Sequence, residues 1–517
     1  MKFNFKINKI NKSRLLIYFA KIISLIAGWY TIIVYFPQKW LLKTYSSVSI
    51  EQILWFFHHT TKGTDTNLIR STILYVLFGT ALFIAWGFCV VFSERISKGV
   101  NWAFSHPREL WDSIKLRISS FHRKYYMHYT LTFFLVFSIS CATVITHKVN
   151  TRFRIGEYIK KQMSYPKNDF FAENILIPNF TDVSFKEKKN LIIVLGESLE
   201  STFAEASYID GGSLIPKLAK LREQGQYIDG FRNIYGAMWT IESLASWSFG
   251  LPLKLPDLLG QFKWNKYESK RGFLPNATSI FDLLRKEGYE LVLILGSYKN
   301  FSSKDKLFAQ HGNFVILDRL YFEKVGYDLS KNIGTGWGYS DEFILNRARE
   351  EYKRLSESGK PFVILVETVD THGPDGYCPN EKKVFHDMRD AYLNMDDVIS
   401  RFIDDILKTN PKQGIAVIGD HDLHMNLSWM SKAQNHRVYN AFFGDIPKIP
   451  DQKKDQVVTA YDIAPTLLEM TGARWNSRKF GLGVSFFSPE PSLAQKLGFK
   501  ELSNQVEKPS RFYDSLY

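Results

Sequence analysis

Cysteine is scarce in this sequence of 517 residues, which contains only three. Cys89 and Cys141 lie inside apolar runs, and Cys378 is the single cysteine of the long C-terminal part. A disulfide needs two cysteines, so no bridge can form within that part, even in an oxidising compartment. This excludes a disulfide framework there.

Acidic residues are fewer than basic ones, 52 against 66, which gives a formal net charge of +14. Such an excess can indicate nucleic acid as a partner. The basic residues are, however, scattered along the chain and flank apolar runs, which favours a membrane with anionic headgroups. The sequence therefore predicts a membrane partner and no nucleic acid. It also has no internal repeat and no low-complexity segment.

Three apolar runs are long enough to cross a hydrocarbon core of about 30 Å, which takes roughly 20 helical residues. They extend from Leu15 to Phe36, from Thr72 to Phe92 and from Tyr129 to Thr146. A signal peptide is the alternative interpretation of the first run, but no small-residue cleavage site follows it. We predict three transmembrane helices within residues 1–150.

Basic residues next to these runs predict the orientation. They concentrate at the N-terminus and between the second and third runs (Lys2, Lys6, Lys9, Lys12, Arg14, Arg95, Lys98, Arg108, Lys115, Arg117, Arg123, Lys124). Both regions should face the cytoplasm, so everything after about residue 150 should lie outside. A short interfacial helix is predicted at Ile50 to Phe57.

The chain after residue 150 divides into three further parts by pattern. Residues 151–189 are mixed and polar and predict a membrane-proximal linker. Residues 190–490 alternate short apolar runs with helical segments, which predicts an α/β fold with a mainly parallel sheet flanked by helices. The expected strands are Leu191 to Leu195, Leu291 to Leu295, Phe362 to Val366 and Ile415 to Ile418. Residues 491–517 are predicted to be a C-terminal tail.

Ligands of such sheets gather at the carboxyl ends of the strands, so the residues that follow each run are candidates for a site. Glu197 follows the first run, and Asp420 and His421 follow the last, while Thr240 opens a helical segment. Singly, each also fits a cap or a polar turn. Together they form a hard, oxygen-rich set with one nitrogen, suited to manganese, magnesium or zinc. A threonine beside such a cation at a helix N-terminus can become a nucleophile.

Five segments in this order resemble the alkaline phosphatase and sulfatase superfamily. They are the runs 190–200, 239–240, 370–374, 419–421 and 461–468. Glu-Ser-Leu-Glu at 197–200, Gly-Leu-Gly at 481–483 and Asp-Thr-His-Gly-Pro at 370–374 are most similar to the lipoteichoic-acid-synthase-like branch, and particularly to phosphoglycerol transferases that act on periplasmic glucans.

The resemblance implies Glu197, Thr240, Asp420 and His421 as metal ligands, with Thr240 as the nucleophile and His372 as a catalytic contact to the phosphate. It implies a divalent metal, manganese first, with phosphatidylglycerol as donor and a glycan as acceptor. It further implies a multi-pass protein of a bacterial inner membrane with a periplasmic catalytic domain.

One segment departs from the branch. Lipoteichoic acid synthases have an aromatic residue and an arginine after the strand that corresponds to 291–295. Here the run 301–304 ends in Lys304, which is expected to supply the positive charge, and a tryptophan contact is missing. Asp422, His424 and His436 could also line the site, but surface roles are equally compatible with the sequence.

Three other functions were weighed. A sulfatase needs Cys/Ser-x-Pro-x-Arg where this chain has the run 240–244, Thr-Ile-Glu-Ser-Leu, so sulfatase activity is excluded. A phosphoethanolamine transferase is the runner-up, although such enzymes usually carry several cysteines in the outer domain. An inactive scaffold is disfavoured because all four predicted ligand positions hold competent residues.

Overall fold

The structure is a computed structural model that describes residues 12–45, 48, 50, 53, 66–93, 95–96, 112–162, 165–207, 209–254, 272–334, 336–373, 376–379, 388–425, 427–430, 432 and 435–517. The basic residues before Lys12 and most of the predicted interfacial helix at 50–57 lie outside this set. The chain divides into two compact units, 1–48 with 67–156, and 49–66 with 157–517.

The first unit contains the helices α1 (Lys12–Thr44), α2 (Thr66–Val91) and α3 (Asp112–Phe153). Each includes a segment long and apolar enough to cross a membrane (Arg14–Lys43, Ile69–Val91, Tyr129–Phe153), which confirms an apolar helix at each of the three predicted spans. Within this unit the Tyr30 hydroxyl and the Thr146 hydroxyl lie 2.9 Å apart. Gly28 lets the Trp86 ring approach α1, since a Cβ there would lie 2.4 Å from the indole nitrogen. Small residues allow such close helix contacts in membranes.

The second unit alternates short strands and helices. Its helices are α4 (Ile155–Gln162), which begins at the boundary between the units, α5 (Phe170–Asn174), α6 (Pro216–Arg222), α7 (Thr240–Phe249), α8 (Ile280–Lys286), α9 (Lys304–Gln310), α10 (Arg319–Lys324), α11 (Asp341–Ser358), α12 (Arg389–Thr409), α13 (Ile463–Met470), α14 (Leu493–Leu497), α15 (Phe499–Glu507) and α16 (Arg511–Asp514). Its strands are β1 (Ser184–Phe185), β2 (Leu191–Gly196), β3 (Phe231–Arg232), β4 (Glu290–Leu295), β5 (Val315–Leu317), β6 (Phe362–Glu367), β7 (Gly414–Gly419), β8 (Asn440–Phe443), β9 (Val458–Thr459), β10 (Ala473–Arg474), β11 (Lys479–Phe480) and β12 (Gly483–Val484).

The central sheet has the strand order β5-β4-β6-β2-β7-β8. The first five strands run parallel, and β8 is antiparallel to β7. This confirms the predicted mainly parallel sheet, whose four expected strands are β2, β4, β6 and β7. The edge strands β5 and β8 were not predicted, because runs of three and four residues carry little periodic signal.

Alternating residues of the strands face two separate cores, one on each side of the sheet. Leu191, Ile193 and Leu195 of β2 pack into one core with apolar residues of α7, α8 and α13. Ile192 and Val194 pack into the other, with residues of α6, α11 and α12. Burial on both faces explains why the strands read as unbroken apolar runs.

The segments on either side of residues 190–490 also pack against this unit. Strand β1 pairs with β10, and the Tyr165 hydroxyl donates a 2.7 Å hydrogen bond to Asp514. Residues 491–517, predicted as a tail, form α14 to α16, and Tyr513 in α16 is fully buried in the first core.

Candidate active site

Glu197 and Asp420 emerge side by side at the carboxyl edge of the sheet. Gly196 of β2 and Gly419 of β7 are in register, and each of these two carboxylates follows one residue later. A Cβ at Gly419 would lie 2.0 Å from the Leu199 carbonyl oxygen, so only glycine permits this close approach. The parallel sheet thus brings together two residues that are 223 positions apart.

Ser198 links the two carboxylates. Its backbone has a φ of 51°, in the left-handed region that non-glycine residues rarely occupy. In this conformation its N–H donates a 2.8 Å hydrogen bond to Asp420 Oδ1, and its hydroxyl donates a 2.7 Å bond to Glu197 Oε1. Strain of this kind concentrates at functional sites.

Thr240 is placed by helix α7, of which it is the first residue, with Trp239 as the N-cap. Ser243, one turn later, donates a 2.6 Å hydrogen bond from its hydroxyl to the Asp420 carbonyl, which ties the helix to the end of β7. The Thr240 hydroxyl then donates to Glu197 Oε2 at 3.3 Å. The helix N-terminus faces two carboxylates, an arrangement that the helix dipole favours.

Glu197, Asp420 and His421 form a buried group whose ligand atoms all lie within 4.8 Å of one another. His421 Nε2 lies 3.3 Å from Asp420 Oδ2 and 3.7 Å from Glu197 Oε1. Asp420 Oδ2 is buried and has no partner in good hydrogen-bond geometry among the described residues. Two carboxylates, one imidazole and the adjacent Thr240 hydroxyl fit a divalent cation.

The pKa values of this group reflect an excess of negative over positive charge. Burial and the neighbouring Glu197 charge raise the pKa of Asp420 to about 7. Burial opposes a charged imidazole, yet Asp420 and Glu197 raise the pKa of His421 to about 9. Burial likewise disfavours the Glu197 carboxylate, but His372 and His421 hold its pKa below the ordinary value. Protons therefore supply the positive charge that a metal ion would otherwise provide.

Lys304 lies at the same sheet edge but is paired within the chain. Its ammonium group forms an ion pair with Glu367 Oε1, and both side chains are almost fully buried. Glu367 ends β6, in register with Leu195 at the end of β2. The role of Lys304 as a phosphate contact remains a prediction, and Glu367 is a partner that the sequence analysis missed.

His372 lies in the loop that follows β6, and Trp337 packs against it. The two ring centroids are 4.5 Å apart, and the Phe301 ring also contacts Trp337, with centroids 4.7 Å apart. The imidazole Nδ1–H donates a 2.8 Å bond to the Gly373 carbonyl. Trp337 thus places an aromatic ring beside His372 from a distant loop, a contact that no local spacing could reveal.

The structure thus brings all six predicted site residues to one edge of the sheet, where Thr240 donates to Glu197, and Asp420, His372 and His421 interact with it electrostatically. Lys304 also acts on the Glu197 charge, although its ammonium is bonded to Glu367.

Known proteins are similar to part of this chain. Phosphoglycerol transferase I of Salmonella arizonae is 28% identical over 335 residues, which cover 61% of this chain and 41% of that protein. Phosphoglycerol transferase I of Shigella boydii is 27% identical over 402 residues, covering 74% and 49%. The chain spans less than half the length of these curated relatives.

A solved structure with a similar fold is the lipoteichoic acid synthase LtaP from Listeria monocytogenes, with a TM-score of 0.48 and 17% identity over 69% of this chain and 96% of that chain. The sulfatase family model matches residues 189–473, more than half of the chain. That match agrees with the motifs and with the mainly parallel sheet, and it shows that the chain belongs to the sulfatase family.

Proposed function

We propose that this chain is a metal-dependent phosphotransferase that moves phosphoglycerol from phosphatidylglycerol to a glycan acceptor. The observation that carries the proposal is the Thr240 hydroxyl, which lies 3.3 Å from Glu197 beside the Glu197, Asp420 and His421 group. The names of the two phosphoglycerol transferase relatives support the transferred group. The three apolar helices support a donor taken from the membrane.

The metal ligands are proposed to be Glu197, Thr240, Asp420 and His421, with manganese as the first expectation. A bound divalent cation would polarise the phosphodiester and favour the alkoxide form of the threonine. Thr240 Oγ1 then attacks phosphorus, the bond to the diacylglycerol oxygen breaks, and glycerophosphate remains on Thr240. An acceptor hydroxyl attacks the same phosphorus, and the bond to Thr240 breaks. His372 and Lys304 are proposed to offset charge on the nonbridging oxygens.

Replacement of Thr240 by alanine tests the covalent mechanism. The variant should retain metal on Glu197, Asp420 and His421 but lose diacylglycerol release and transfer together, because both require the same intermediate. The measurement uses full-length protein in vesicles that contain lipids labelled in the glycerol or the ethanolamine headgroup. Mass spectrometry of wild-type protein without acceptor should show glycerophosphate on the Thr240 peptide.

Two outcomes would change this proposal. Phosphoethanolamine on Thr240 would establish the runner-up activity with the same mechanism. An alanine variant that releases diacylglycerol at the wild-type rate would instead indicate direct attack by the acceptor and rule out the covalent intermediate.

The catalytic unit is proposed to lie in the periplasm, with the chain anchored in the inner membrane. A reporter enzyme that is active only outside the cytoplasm should be active when it is fused after residue 160. The reason is that the basic residues place the N-terminus and the loop between the second and third helices inside. The same reporter fused after residue 105, in that loop, should be inactive. The reverse pattern would separate the site from an outer-leaflet donor and contradict the proposed location.

A further inference from the structure

A buried carboxylate and a partly exposed histidine form a pair next to the metal-binding group. Glu200 is fully buried, and its Oε2 accepts hydrogen bonds from His436 Nδ1 at 2.6 Å and from the Thr202 hydroxyl at 3.1 Å. Its Oε1 accepts a 2.7 Å bond from the Leu423 N–H. The Glu200 carboxylate thus accepts three hydrogen bonds, and one of them fixes the His436 imidazole through Nδ1.

This pair is attached to both segments that carry the proposed metal ligands. Glu200 follows Glu197 by three residues, and Leu423 follows His421 by two. The charge of Asp422 acts on both members of the pair. About a third of the His436 side chain, 35%, is exposed, whereas none of the Glu200 side chain is. The imidazole is therefore the accessible member of the pair, and the carboxylate is the buried one.

The proposed transfer needs a group that handles protons at the two oxygens exchanged on phosphorus. Glu197, Asp420 and His421 are assigned to the metal. His424 Nε2 donates to the Met238 carbonyl at 2.7 Å, and the Lys304 ammonium is paired with Glu367. His372 bonds the Gly373 carbonyl through Nδ1 and is already assigned to the nonbridging oxygens of the phosphate. His436 has no other assigned role, and its Nε2 makes no hydrogen bond to any residue that the structure describes.

We infer that His436 is the acid–base residue of the transfer reaction and that Glu200 is its positioning residue, an inference that rests on the proposed function. In the first displacement the bond between phosphorus and the diacylglycerol oxygen breaks, and His436 Nε2–H gives its proton to that oxygen. In the second, the neutral Nε2 takes the proton of the acceptor hydroxyl as its oxygen bonds to phosphorus and the Thr240 oxygen leaves. Each cycle restores the protonated imidazole.

The surroundings of the pair agree with a proton donor. The hydrogen bond to Glu200 raises the pKa of His436 above its ordinary value, with Asp422 adding to the effect and burial opposing it. His424, stacked on His421 with centroids 5.4 Å apart, and Tyr392, which interacts with the Glu200 charge, are further titratable groups of this region. Arg437, the next residue, is occupied by an ion pair with Glu205.

Leaving groups of different basicity test the inference. Full-length His436→Asn protein is compared with wild type in the first turnover, on phosphatidylglycerol and on the p-nitrophenyl ester of glycerophosphate. Diacylglycerol alkoxide needs a proton to leave, whereas p-nitrophenolate does not. Release of diacylglycerol should fall about 10²- to 10⁴-fold, the usual contribution of general acid catalysis, while release of p-nitrophenol should change by less than about threefold.

Two companion variants keep the result interpretable. Glu200→Gln should lower diacylglycerol release by a smaller factor and shift the loss of activity at high pH to lower pH, since the charge that stabilises the imidazolium is removed. Lys432→Ala changes an exposed residue of the same segment, paired with Asp210, and should leave both rates unchanged. Metal content and melting temperature identify any variant that has lost its fold. If His436→Asn is such a variant, His436→Gln is used in its place.

An equal loss on both substrates, or no loss on either, would overturn the inference. A different result would contradict the proposed function, namely a Thr240→Ala variant that still releases either leaving group at the wild-type rate. An inactive Thr240→Ala variant combined with a uniform effect of His436→Asn refutes only the role of His436.

Discussion

Two charged groups at the same edge of the sheet differ in how their buried charge is neutralised. Lys304 and Glu367 form an ion pair, so one negative charge meets one positive charge within the chain. Glu197, Asp420 and His421 instead place two carboxylates against a single imidazole. Buried charge is costly unless it is paired. The comparison teaches that the first group is complete in charge, although Glu367 Oε2 has no hydrogen-bond partner among the described residues, while the second requires protons or a cation from outside.

The largest effect is expected from breaking the incomplete group. Asp420→Asn or His421→Ala should lower bound metal and turnover together, the turnover by about 10³-fold, since the ion supplies several kcal/mol of stabilisation in the transition state. Metal content by mass spectrometry and the rate of diacylglycerol release are measured on the same preparation. Asp445→Asn, a change at an exposed carboxylate, is the matched control. Full metal occupancy in both variants would show that the assigned ligands are wrong.

A smaller effect is expected from breaking the complete pair. Lys304→Met leaves the buried Glu367 carboxylate without its partner and should lower the free energy of unfolding of the catalytic unit by about 3–5 kcal/mol. Thermal unfolding in detergent measures this loss. The double variant Lys304→Met with Glu367→Met should recover most of it, because both charges are then removed.

The double variant also decides what Lys304 does in the reaction. If Lys304 offsets charge on the phosphate, the double variant should be stable but slow in transfer. Stability and transfer that recover together would show that the lysine serves only to neutralise Glu367.

The smallest effect is expected at Trp337, which contacts His372 rather than either charged group. Trp337→Ala should reduce kcat/KM about 10- to 100-fold with unchanged metal content, because the imidazole loses the surface that positions it. Trp337→Phe keeps an aromatic surface and should retain most of the activity. Steady-state kinetics on the lipid donor measure both variants, and equal losses in both would argue against a stacking role.

Much of the architecture could be predicted from local pattern. The three spans were predictable because length and hydropathy alone decide whether a helix can cross a membrane. The parallel sheet was predictable because β2, β4, β6 and β7 are buried on both faces and read as unbroken apolar runs. Glu197, Asp420 and His421 were found because each follows such a run.

Contacts between distant segments were decided by the tertiary structure alone. The sequence placed Lys304 near the phosphate but held no sign that Glu367, 63 residues later, would neutralise it. Trp337 reaches His372 from a loop before α11, and His436 reaches Glu200 across 236 residues. Burial and hydrogen-bond partners depend on which segments the sheet brings together. Strand periodicity and turn residues, in contrast, are properties of neighbouring positions, which is why the sequence by itself determined the main strands and the proposed metal ligands but not their partners.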